Sequence, residues 1–68
     1  MNAYKTIDTI RTNRVWVKIN RNADKSFSFF IGYTNDTQSF KSATYPKEFM
    51  STIKEAKEHA QIMAKDYV

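Results

Sequence analysis

The chain has 68 residues, among them one Trp, four Tyr and five Phe, and it carries a formal net charge of +4 at pH 7. This length allows a single domain, residues 1–68, which buries about 60% of its unfolded surface and has a thin stability margin. The absence of cysteine excludes a disulfide framework and thiolate metal sites, and the single histidine cannot build a zinc site alone.

The positive charge is concentrated in the N-terminal two-thirds of the chain. Residues 1–45 contain seven Lys or Arg against three Asp, whereas residues 46–68 contain four Lys against four acidic residues. A localised excess of cations favours nucleic acid or an acidic protein as the partner, although the same charges also serve as a solubilising surface. No apolar stretch approaches the ~20 residues of a membrane span. We therefore expect no membrane partner, and the lack of cysteine favours a cytoplasmic location.

The first strand signals lie in the N-terminal half of the chain. Residues 1–13 are predicted to form an extra strand or an arm, with Tyr4 to Arg11 as the strand and Ile7 or Ile10 directed inward. Residues 14–45 are predicted to form antiparallel strands. Residues 14–20 alternate between β-branched apolar side chains and polar or large ones, which is typical of a half-buried strand. Residues 21–25 are a polar loop, and residues 26–34 form the next strand.

These two strands predict a hairpin whose odd-numbered side chains face the core. The pairing of Asn20 with Ser26 places Trp16 beside Phe30 on the outer face. A slip of one residue would drive charges into the core and is therefore excluded, whereas a slip of two residues keeps the same faces and stays open.

The C-terminal half predicts one more strand and a helix. Gln38 to Tyr45 is polar and favours an edge strand. A connecting loop of two or four residues directs Phe40 into the core, which we favour, and a loop of three residues directs it outward. Residues 46–67 are predicted to be helical, since apolar residues recur at spacings of three and four: Phe49, Ile53, Ala56, Ala60, Met63 and Tyr67.

Two start signals compete for the helix. Pro46 suits the first turn, while Thr52 and Glu55 form a capping-box pattern that restarts the helix near Ser51. In either case the apolar stripe packs on the inner sheet face. The predicted fold is thus α+β: an antiparallel sheet of three to four strands with one C-terminal α-helix packed on one face.

The sequence contains no recognisable catalytic or cofactor-binding motif. Nucleophile-elbow, phosphate-loop and metal-ligand spacings are absent from the 68 residues. His59 has no paired nucleophile in the pattern and is interpreted as a surface histidine. We therefore expect a protein that is not an enzyme and that takes no cofactor or metal.

The outer sheet face is the candidate binding surface. Exposed aromatic rings surrounded by cations are typical of platforms that stack unpaired bases and hold phosphates. The same aromatic residues could instead be a structural pair, be covered by the N-terminal segment, or be the seam of a homodimer. A protein-binding regulator or inhibitor of the phage or mobile-element type would use the same surface. The candidate contact residues are Arg14, Trp16, Lys18, Arg21, Lys25, Phe30 and Lys41.

The order of three strands and a helix resembles the DNA-binding modules at the front of phage-type integrases and the plant AP2-like domain. Those helices commonly open with Thr-x-Lys-Glu-Ala, which the run from Thr52 to Ala56 matches. The resemblance implies that the sheet lies in the major groove. Arg14, Trp16, Lys18 and Lys41 would then contact DNA. The segment from Pro46 to Ser51 has no counterpart in that pattern, and the strands here are less basic.

Overall fold

The computed structural model describes residues 5–67 and contains one antiparallel sheet followed by one helix. The strands lie side by side in chain order, so each connection is a hairpin. This confirms the predicted α+β fold with the helix on one face, while Tyr4, the predicted strand start, lies outside the described residues. The elements are β1 (Lys5–Arg11), β2 (Val15–Arg21), β3 (Phe27–Tyr33), β4 (Ser39–Tyr45) and α1 (Ile53–Lys65).

The core forms between the two central strands and the helix. The odd-numbered side chains of β2 and β3, from Val15 to Ile19 and from Phe27 to Ile31, are at most 1% exposed. They pack against Ala56, Ala60 and Ala64, whose small side chains let the helix lie close to the sheet. Burying each large apolar side chain contributes roughly 1.5–3 kcal/mol. The predicted parity of the central hairpin is therefore confirmed.

The register of this hairpin differs from the expected one by two residues. Asn20 pairs with Ser28, and Trp16 pairs with Gly32 rather than with Phe30. The turn explains the slip, because the Asn22 N–H donates to the Ser26 carbonyl at 2.9 Å and extends the ladder past Asn20. The slip leaves every face unchanged, since side chains alternate with a period of two.

A β-bulge lets β1 contribute two isoleucines to the core. Ile7 and Ile10 are three residues apart, which would place them on opposite faces of a regular strand. The register shift between Thr6 and Asp8 inserts one residue, and both isoleucines pack against the core. Asp8 pairs with a core-face residue and reaches Lys57 of the helix at 3.8 Å.

The helix begins at the second of its two start signals, so the prediction that it begins at Pro46 is wrong. The Thr52 hydroxyl accepts from the Glu55 N–H at 3.2 Å, and the Glu55 carboxylate accepts from the Thr52 N–H at 3.1 Å. Pro46 instead closes a turn by accepting the N–H groups of Phe49 and Met50. This turn buries Met50 and leaves Phe49 63% exposed.

Phe40 was expected to point into the core, but it lies outside it. A second register shift, between Ile31 and Gly32, interrupts the pairing of β3 with β4 at this point. The ring is 43% exposed and stacks on Tyr33 with centroids 4.5 Å apart.

The capping box predicts a pH-dependent loss of stability. Hydrogen bonds from the Thr52 hydroxyl, and then from the Ser51 and Thr52 N–H groups, hold the pKa of Glu55 below its usual value. A carboxyl group whose pKa is lower in the folded than in the unfolded state stabilises the fold at pH values above its unfolded pKa. This stabilisation is lost as the pH falls through the folded-state pKa. Urea unfolding at pH 7 and near pH 3 should show a larger loss for the wild type than for Glu55→Gln. Equal losses would contradict the assignment.

Candidate functional site

The outer sheet face, opposite the helix, is polar and basic. The observed registers assign three residues of each strand to it, and within residues 5–67 none of these strand positions carries a carboxylate. The helix carries both signs of charge, since Glu55 and Glu58 are interleaved with Lys54, Lys57 and Lys65. The outer face therefore differs from the helix in having cations but no carboxylate at its strand positions within residues 5–67. The outer-face residues are Thr6, Thr9, Arg11, Trp16, Lys18, Asn20, Ser28, Phe30, Gly32, Ser39, Ser42 and Thr44.

Trp16 lies on this face, as the parity predicted, but the expectation that its ring is exposed is wrong. The residue is 9% exposed, and its Nε1 donates to the Asp36 carbonyl at 3.0 Å. The six-membered side of the indole lies over Gly32, where a Cβ would come within 2.5 Å of Cε2. The β3–β4 loop therefore covers the indole, and the residue stabilises that loop instead of offering a stacking surface.

Lys18 and Phe30 form the centre of the outer face. The two residues are directly paired across β2 and β3, and both are half-buried. The Lys18 Nζ lies 5.7 Å from the centre of the Phe30 ring, within the range of a cation–π contact. A partly exposed ring and an ammonium group therefore stand side by side.

Hydrogen bonds fix the polar end of the face, near the β2–β3 turn. The Asn22 amide donates to the hydroxyls of Ser26 and Ser28 at 2.9 and 2.8 Å, and the Ser28 hydroxyl lies 3.0 Å from that of Thr44. Across β1 and β2, the Thr6 hydroxyl donates to Asn20 at 2.8 Å. These bonds hold the polar side chains in defined positions before any ligand arrives.

Two open depressions flank the centre of the face. One has a volume of about 410 Å³ and lies toward β3 and Asn22, where Phe30 and Ser39 line it. The other has a volume of about 310 Å³ and lies toward β1, where Thr9 and Arg11 line it. Trp16, Lys18 and Thr37 border both depressions. Each depression therefore combines a cation with neutral hydrogen-bonding groups. The acidic residue Asp36 also lines the second depression.

The structure brings Trp16, Lys18 and Phe30 together but spreads the other predicted contact residues. Arg14 lies before β2, where its carbonyl accepts from the Thr34 N–H. Lys25 occupies the β2–β3 turn in a left-handed conformation, with φ of 71°. In this turn the Ser26 hydroxyl donates to Asp24 at 2.6 Å and lowers the pKa of that carboxyl group.

Two predicted contact residues lie on the helix side of the sheet. The Arg21 guanidinium is 5.3 Å from the ring of Phe27, a core residue. Lys41 pairs with Ile31, whose side chain also faces the core. The expected platform therefore loses these two cations. Arg11 and Thr9 were missed because the β1 register depends on the bulge, which the alternation of residue types does not reveal.

Comparison with known proteins assigns no family: no family model, curated protein or solved structure matches the chain. Among residues 5–67, no three His, Asp or Glu side chains cluster in a way that could hold a metal ion. The helix of this part of the chain is too short and too polar to cross a membrane. The run from Thr52 to Ala56 forms the cap and first turn of the helix.

Proposed function

We propose that the chain is a small non-catalytic domain that binds nucleic acid through the outer sheet face, with the cytoplasm as its location. The observation that carries this proposal is the absence of opposing charge: Arg11 and Lys18 lie on a face whose strand positions carry no carboxylate within residues 5–67. Polyanions favour such a face because each phosphate contact releases condensed counterions.

The residues at the centre of the face suit an unpaired base next to its phosphate. Phe30 offers part of a ring for stacking, which contributes about 1–3 kcal/mol per base. Lys18 lies beside that ring and would hold the adjacent phosphate. The hydroxyl groups of Thr9 and Ser39 border the same surface and can bond to bases or sugars.

Fluorescence anisotropy with labelled oligonucleotides tests the proposal. A single strand and a duplex of about 16 nucleotides should be titrated at about 50 mM and about 200 mM salt. Two or three phosphate contacts predict a roughly 10- to 40-fold loss of affinity for the duplex and a roughly 7- to 18-fold loss for the single strand over this range. Lys18→Glu should weaken binding at least about ten-fold, and Phe30→Ala should weaken single-strand binding more than duplex binding.

Lys54→Glu provides the matched control, because it makes the same change in net charge at an exposed position on the helix. It should change the affinity less than about two-fold at the higher salt, where distant charges are screened. Equal losses of affinity from Lys18→Glu and Lys54→Glu would mean that binding depends only on the net charge of the protein and not on the outer face. The absence of binding at the lower salt would remove nucleic acid as the ligand.

A further inference from the structure

A second surface lies along β4, on the helix side of the sheet. Within the described residues, β4 pairs with β3 along one side and has an open edge along the other. The backbone of the helix lies over β1, β2 and β3, and the helix reaches β4 through His59, whose ring meets that of Tyr45 at 4.9 Å. Both the backbone edge and one face of this strand are therefore accessible, which is the arrangement that lets an extended chain add to a sheet.

Exposed aromatic side chains flank the two ends of β4. At the start of the strand, Phe40 stacks on Tyr33, which is 52% exposed, and meets Tyr67 edge-on at 5.5 Å. At its end, Tyr45 stacks on Phe49 with centroids 5.2 Å apart. Phe40 and Tyr45 are five positions apart in the chain, so an extended segment of ~17 Å reaches from one aromatic group to the other.

The size of this surface disfavours a second copy of the chain as its occupant. Tyr33, Phe40 and Phe49 together expose roughly 300 Å² of aromatic side chain, given 150–250 Å² for each such residue. A stable protein interface buries about 800 Å² on each partner. An elongated strip of this size instead matches one strand, whose main chain would bond to the open edge.

Charge selects the type of strand. Lys41 lies between the two aromatic groups on the helix side of β4, and β4 itself contains no acidic residue. After the strand, Lys47 is offset by the neighbouring Glu48, so Lys41 is the cation that a partner strand would meet. The outward side chains of the strand, Ser42 and Thr44, are polar. The added strand should therefore alternate, with apolar side chains and one carboxylate on the helix side and polar side chains on the other.

We propose that the open edge of β4 binds an extended acidic peptide segment of a partner protein as a fifth strand. Its carboxylate pairs with Lys41, and its apolar side chains lie over Ala43 and against Tyr45 and Phe49. This surface is separate from the outer face, so the two binding activities are tested independently.

The probe is the acetylated and amidated peptide Thr-Val-Thr-Phe-Thr-Glu-Thr, titrated into the isotope-labelled chain and followed by amide NMR shifts. An antiparallel strand places its Val, Phe and Glu opposite Tyr45, Ala43 and Lys41. We expect saturable chemical-shift changes along β4. We also expect slower hydrogen exchange of the β4 amides that point to the open edge of the sheet. Lys41→Glu should weaken binding at least about ten-fold, and a probe with Lys in place of Glu should recover the loss.

Two N-methylated probes test the backbone pairing. Alternate residues of a strand direct their N–H groups to opposite edges, so methylation at Val, Phe and Glu and methylation at the inner Thr residues affect different edges. One of these probes should bind within about three-fold of the parent, and the other should lose at least about ten-fold. Equal affinities for the two would overturn strand addition.

Matched variants distinguish binding at this surface from non-specific hydrophobic binding of the peptide. Phe49→Ser should weaken the probe at least about five-fold, whereas Ile62→Ser, at a residue 59% exposed on the far side of the helix, should not. Lys54→Glu controls for the charge change at Lys41. The absence of β4 shifts at millimolar probe would overturn the proposal. So would a concentration-dependent dimer in sedimentation that Phe49→Ser abolishes, since the occupant would then be a second copy.

Discussion

Replacing Trp16 with alanine is expected to lower the free energy of unfolding by about 3–5 kcal/mol, the usual range for removing a large buried aromatic side chain. The indole is 9% exposed and donates its N–H to the Asp36 carbonyl, so its loss opens a cavity and releases the β3–β4 loop. Small domains often have a total stability of only about 5 kcal/mol. Urea unfolding followed by circular dichroism should therefore find a marginally stable variant, with a free energy of unfolding of about 0–2 kcal/mol.

Two further variants separate the structural role of Trp16 from a role in binding. Trp16→Phe keeps a ring over Gly32 but removes the N–H donor, so it should cost less than Trp16→Ala. Lys18→Glu keeps the indole and should remain folded while it loses oligonucleotide affinity. If Trp16→Ala kept the stability of the wild type and lost only binding, the indole would be a contact residue, as its sequence position first suggested.

The central hairpin shows what the alternation of residue types could and could not predict. Apolar residues at odd positions determine which face of β2 and β3 packs in the core, because shifting the strand register by an odd number of residues would bury Lys18. The shift by two residues leaves this pattern unchanged. The register was therefore decided by the turn at Asn22–Ser26, where a backbone and a side-chain hydrogen bond together join Asn22 to Ser26.

The covering of Trp16 had one signal in the sequence. Gly32 is the only glycine of the sequence and lies within β3, and glycine inside a strand often marks the close approach of another group. In the correct register this glycine lies opposite Trp16 and makes room for the indole. With the register displaced by two residues, the pairing with Phe30 concealed that relation.

The β4 surface follows from a mismatch in width that the sequence does not display. Four strands at ~4.8 Å spacing are wider than one helix of ~10 Å diameter covers, and the buried alanines bring this helix close to β1, β2 and β3. Tyr45 therefore contacts the side of the helix through His59, whose ring is 4.9 Å away, and Phe49 stacks on Tyr45. They were not predicted as a surface because the apolar stripe assigned Phe49 to the helix.

Gly32→Ala tests the contact that holds the outer face together. A Cβ at this position would meet Cζ2 of Trp16, come within 2.5 Å of its Cε2 and lie 2.8 Å from the Gln38 carbonyl oxygen. The indole and the β3–β4 loop must move to admit the methyl group, so we expect a loss of about 1–3 kcal/mol in the free energy of unfolding.

The Trp16→Val background provides the control for this substitution, because it removes the ring that the new methyl group would meet. There Gly32→Ala should be neutral or stabilise by about 0.5–1 kcal/mol, since alanine loses less backbone entropy than glycine in a strand. This double-mutant cycle can be measured by urea unfolding in the presence of trimethylamine N-oxide. The osmolyte strengthens effective burial and keeps the less stable variants folded. An equal cost in both backgrounds would place the strain at the Gln38 carbonyl alone. The loop backbone, rather than the indole, would then set the approach of β3 to its neighbours.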